Sequence, residues 1–129
     1  MNRTEFVESF VIILQKALNC LKRARKEGMI ALDNDLDNEK VEERDIFEYG
    51  LRLVIDGCDP EIIEKVLSNI IAQEKDEYLR LLKTIQKEAI LMIGVGEHPV
   101  LLFWVLNSYT DIPLNDEKMK DIIDMIKDI

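Results

Sequence analysis

Apolar residues recur at spacings of three and four along almost the whole of this chain, and no stretch alternates with the period of two that a half-buried strand needs. That pattern restricts the fold to the all-α class. Residues 5–27 place Phe6, Phe10, Ile13, Ala17, Leu21 and Ala24 on one stripe. Val11, Ile12, Leu14 and Leu18 widen it, so this helix is expected to be wrapped by neighbouring helices or by another copy of the chain. Asn2 is placed to cap it, with Glu5 three residues on. Gly28 stops it, after a last stretch holding Lys22, Arg23, Arg25 and Lys26, where the helix dipole favours cations.

Residues 29–36 could form a short helix, and 37–42 read as a polar loop. Residues 43–56 form a second clear helix with Ile46, Phe47, Leu51, Val54 and Ile55 on its apolar face, stopped by Gly57. Asp59-Pro60-Glu61 is a helix start, with a cap, a proline at the first position and an acid in the first turn. The helix it opens is expected to run to about residue 94, through one polar patch, until Gly94 and Gly96 end it. His98-Pro99 restarts an apolar helix through Leu106. Asn115 is placed to cap a last one, with Met119, Ile122, Ile123, Ile126 and Ile129 on one face. The expected architecture is one domain over 1–129, a compact bundle of about five helices with one long central helix.

Composition narrows the function classes. A chain of 129 residues, 47% hydrophobic, can bury a core without metal or disulfide staples. Its net charge of −9 repels phosphate backbones and anionic lipid, which argues against nucleic-acid and membrane-surface binding. The charge is uneven: residues 1–32 hold six cations and three carboxylates, the remainder eleven and twenty-three. A basic pole on an acidic chain is more typical of a partner surface than of an active site. Cys20 and Cys58 stand alone, as in a reduced, cytoplasmic compartment. Glu5 and Glu8 interrupt any signal-peptide pattern. The most apolar stretch, Ala89–Leu106, is broken by Gly94, Gly96, Glu97, His98 and Pro99, so it reads as two buried helices rather than a membrane span.

No catalytic, cofactor or metal constellation emerges. Asp33, Asp35 and Asp37 match the first three ligand positions of a calcium loop. Asn38 then stands where the sharp turn needs glycine, and Arg44 where a bidentate glutamate belongs. His98 is the only histidine and reads as a turn residue at a helix start. Phe103 and Trp104 lie in an apolar run and are expected in the core. No phosphate-binding glycine loop or nucleophile motif is present, which argues against an enzyme.

Two segments carry a resemblance. Ala24-Arg25-Lys26-Glu27-Gly28-Met29-Ile30-Ala31-Leu32-Asp33 resembles the ARREGLLALE-type signature of the MotA flagellar stator family (MotA/TolQ/ExbB-like). Gly50-Leu51-Arg52-Leu53-Val54-Ile55-Asp56-Gly57-Cys58-Asp59-Pro60-Glu61 resembles its GLQLVVDGTDPELL-type segment, and Asp45-Ile46-Phe47 its helix start. The resemblance covers roughly residues 5–80 and is to the cytoplasmic part only. The family's membrane helices and proton path have no counterpart, so ion conduction and torque do not carry over. Residues 81–129 read as a distinct helical extension, with 97–129 folding back over apolar surface.

What the resemblance implies is a non-enzymatic, cytoplasmic protein, recruited to the flagellar motor at the inner membrane and acting in motility or chemotaxis. Its partner would be the flagellar rotor switch protein or a stator component. The family's basic signature position falls on Arg25 and its acidic one on Asp33, and the implied partner-binding set is Arg23, Arg25, Lys26, Asp33 and Asp35. The alternative is a helical scaffold that self-associates as a homo-oligomer, with no rotor role.

Overall fold

A computed structural model describes residues 1–33 and 46–127. They form α1 (Arg3–Glu27), α2 (Ile30–Asp33), α3 (Ile46–Ile55), α4 (Pro60–Ile71), α5 (Glu77–Gly94), α6 (Pro99–Asn107), a 3-10 turn (Glu117–Met119) and α7 (Lys120–Lys127). No strand occurs among the described residues. The all-α expectation holds, but the described residues form seven helices and a 3-10 turn rather than about five. The expected extension of the short helix to residue 36, the polar loop at 37–42, the helix start at 43 and Ile129 all lie outside the described residues.

The start signals work as their chemistry dictates. Asn2 Oδ1 accepts from the Glu5 amide at 2.9 Å. Pro60 occupies the first turn of α4, and the Asp59 carbonyl accepts from the amides of Ile62 and Ile63. His98 caps α6, its Nδ1 accepting from the Val100 amide at 3.2 Å. The last helix begins later than expected. Asp116, not Asn115, supplies the cap, and it opens the 3-10 turn that leads into α7 at Lys120. The chain leaves α3 and α5 by the same device. Gly57 and Gly96, at φ 82° and 68°, let the next amide reach back to the carbonyls of Leu53 and Met92.

The long helix expected over 60–94 is two helices folded into a hairpin. Ala72 and the polar run Gln73-Glu74-Lys75-Asp76 form its turn. Glu74 Oε2 accepts from the amides of Lys75 and Asp76, and Asp76 Oδ1 caps α5 through the Leu79 amide at 2.9 Å. Lys83 Nζ then straps α5 back to Glu74 Oε1 at 2.8 Å. Reversal brings Ile63, Leu67 and Ile71 of α4 and Leu82, Ile85, Ala89, Ile90 and Ile93 of α5 into one core. Burying each large aliphatic side chain is worth about 1.5–3 kcal/mol. The helix propensity of these five residues is worth only tenths each, so burial decides.

The central helix is therefore α5, which packs against α1, α3, α4 and α6. On α1 the fully buried side is Phe6, Phe10, Leu14, Ala17, Leu18 and Leu21. Ile13 and Ala24 sit at its edge, and the wrapping comes from α2, α5, α6 and the 3-10 turn. Phe6 stacks on Tyr78 with ring centroids 4.9 Å apart. Phe103 is buried as expected. Trp104 is not: the buried side of α6 is occupied by Leu102, Phe103 and Leu106, and Trp104 points away from it.

Candidate functional site

The basic pole is the C-terminal end of α1, which closes with the Gly28 amide on the Ala24 carbonyl at 2.9 Å. Its cations have different duties. Arg23 Nε pairs with Glu27 Oε2 one turn on, at 2.8 Å. Arg25 reaches across the molecule, Nη1 donating to the Gly96 carbonyl at 2.8 Å and to that of Glu97 at 3.3 Å. It thereby fastens the end of α1 to the α5–α6 turn. Lys26 is exposed, with no partner among the described residues.

Asp33 turns the other way. Its Oδ1 lies 2.7 Å from Arg52 Nη1, a charge contact joining the single turn of α2 to α3. Arg52 also has Asp56 at 3.9 Å, four residues on and just past the end of α3. Arg25 and Asp33 thus do not sit together as one charged pair offered to solvent. Each closes a contact inside the molecule, and Asp33 ties the first signature segment to the second. Asp35 lies outside the described residues.

Sequence reading missed Arg52 as the partner of Asp33. Its place on the polar side of α3, four residues before Asp56, was a usable signal. The carbonyls that receive Arg25 had none, because backbone acceptors leave no trace in a residue pattern.

Lys16 on the neighbouring part of α1 lies 4.6 Å from the centre of the Phe47 ring, a cation–π contact to α3. Among the described residues no three His, Cys, Asp or Glu side chains are grouped as metal ligands. A cavity of about 430 Å³ lies nearer the start of α1, lined by Ser9, Ile13, Tyr49, Ile70, Leu82 and Gln86. A smaller one, about 320 Å³, lies under the α3–α4 turn beside Cys58 and Pro60. Neither includes the basic pole. No described helix is long and apolar enough to cross a membrane.

No protein-family model matches this chain, and no solved structure matches it. Two curated relatives do. Motility protein A of Borreliella burgdorferi is 40% identical over 57 residues, covering 44% of this chain and 21% of that protein. Motility protein A of Treponema phagedenis is 27% identical over 84 residues, covering 65% of this chain and 31% of that protein. The chain thus spans no more than about a third of the length of these relatives. Over that part it is related to motility protein A.

Proposed function

We propose that this chain is a non-enzymatic binding protein of the flagellar motor, working at the cytoplasmic face of the inner membrane. Its partner is an acidic surface of the rotor switch protein or of a stator component. The observation that carries this reading is the basic end of α1, with Arg23, Arg25 and Lys26, on a net −9 chain related to motility protein A. Charges at an interface rim set register and on-rate more than affinity, which suits a contact that must form and break.

The geometry sharpens the test. Arg25→Glu would also release the α5–α6 turn, and Asp33→Lys would set a cation against Arg52. Lys26→Glu changes the surface alone. Deleting the gene should leave cells flagellated but slowed or paralysed, and a Lys26→Glu copy should restore them only in part. Normal swimming with normal flagella in the deletion would overturn the reading. A second reading, a self-associating helical scaffold with no rotor role, is favoured by the uncharged outer face of α6.

A further inference from the structure

The side of α6 opposite Leu102, Phe103 and Leu106 is open. It carries Leu101 at 50%, Trp104 at 53% and Val105 at 36% exposure, with Tyr109 just beyond the helix at 36%. Offsets of three and four place Leu101, Trp104 and Val105 on one helix face, while Tyr109, past the helix end, lies toward Glu88 and Lys87 of α5. Residues 99–110 contain no charged side chain, in a chain that is 33% charged. An exposed tryptophan among aliphatics, with Lys, Glu and Asp absent, is the composition of the centre of a protein interface.

Two contacts fix how this face lies. Arg25, near the end of α1, holds the Gly96 and Glu97 carbonyls just before α6. Arg3, at the start of α1, pairs with Asp111 just after α6. Thus α6 runs antiparallel to α1, and the charge gradient of α1 lies alongside it. Where α6 begins, the flank is basic, with Lys22, Arg25 and Lys26 beyond the Arg23–Glu27 pair. Where α6 ends, the flank carries exposed Glu8 and Asp111, the latter in its pair with Arg3.

We propose that the open face of α6 pairs with the same face of a second copy of this chain, the two α6 helices antiparallel about a two-fold axis. A two-fold contact sets the start of one α6 against the end of the other. Each basic flank then meets the partner copy's carboxylates, twice over, whereas a parallel pair would set like against like. The charge-free strip keeps the −9 of each copy out of the contact centre. A stable dimer buries about 800 Å² per partner, more than one helix face supplies, and the flanks of α1 beside α6 complete it. This gives the self-association reading a surface and does not depend on the motor-partner reading.

Trp104 is the only tryptophan, so the proposed centre carries its own reporter. The full chain is diluted from about 100 μM to about 10 nM, across the usual range of dimer dissociation constants. Mass is followed by sedimentation and burial by Trp104 emission. The expected result is a dimer that dissociates with a red shift of emission at the same midpoint. Leu101→Glu should be monomeric throughout, with the circular dichroism and melting of the diluted native monomer. Lys26→Glu should raise the midpoint several-fold. A monomer at every concentration overturns the proposal. A dimer that survives Leu101→Glu overturns it too, while leaving self-association by another surface standing. Trp104 emission that shifts only on added anionic vesicles assigns the face to lipid and also overturns it.

Discussion

Gly50, buried within α3, and Gly94, the exposed last residue of α5, are both glycines in helical backbone, and the structure gives them opposite prospects. A Cβ on Gly50 would meet Ile90 Cγ1 at 3.0 Å, Ile90 Cγ2 at 3.1 Å and Leu67 Cδ1 at 3.1 Å. Ile90 and Leu67 are fully buried and have little room to yield. Overpacking of this kind costs about 1–3 kcal/mol, against a helix-propensity gain of about 1 kcal/mol for Gly→Ala. Gly50→Ala should therefore destabilise by about 1 kcal/mol. At Gly94 the nearest atom is Val54 Cγ2 at 3.4 Å, an ordinary contact, so Gly94→Ala should be neutral or stabilising by up to ~1 kcal/mol. Urea titration of both variants checks the pair, and a shift of the same sign in both would refute the packing account. At this scale the sequence announced which residues were charged but not where they reached. Arg25 and Asp33 were legible as signature residues. Their use inside the molecule was not, because it depends on a backbone turn 71 residues away and on Arg52 across α2 and α3.

Helix starts and stops were largely readable, because caps, prolines and glycines act within one turn. The missed break between α4 and α5 has a specific cause. Ile71, Tyr78, Leu82, Ile85 and Ala89 keep spacings of seven, four, three and four, so the apolar register passes through the turn in phase. Periodicity cannot report a reversal that preserves it. The reversal is instead recorded in the charges that brace the hairpin. Glu74 is held below the ordinary glutamate value by the hydrogen bond from Lys83, and Glu64 of α4 likewise by that from Lys87 of α5, 2.8 Å away. Both shifts are downward. Each contribution to stability is therefore complete above the ordinary glutamate value of 4.5 and lost as the pH falls through the lowered one. The Glu64 pair is partly exposed and screened, so it is worth at most ~1 kcal/mol. Glu64→Gln should accordingly lower the melting temperature by no more than about 4 °C at pH 7, and the gap to the native chain should narrow as the pH falls below 4.5. Melting curves that stay parallel across that range would show that the Glu64–Lys87 bridge does not carry the effect.

Across the whole molecule, the acidic average concealed a graded charge, and the apolar average concealed a helix with two unlike sides. Trp104 was expected in the core because nine consecutive residues without a charge, Pro99–Asn107, resemble a buried segment. The helix is apolar all round, and only the packing of α1 and α5 decides which half is covered. The covered half makes the segment after Gly96 structural as well as available for contacts. Leu102, Phe103, Leu106, Ile112, Met119 and Ile122 all join the common core, and α6 lies against both α1 and α5. Removing residues 97–129 uncovers the matching surface on those two helices. Each large side chain returned to water costs about 1.5–3 kcal/mol, and even a few of them rival the 5–15 kcal/mol that holds a domain together. The helices that remain must still be ordered, so no entropy is recovered on their account. A chain ending at Gly96 should therefore lose its cooperative melt and aggregate through the exposed patch. Differential scanning calorimetry and light scattering on the truncated chain test this. A monodisperse product with a sharp transition would mean that α1 to α5 form a self-sufficient unit, and that α6 serves only the surface it presents.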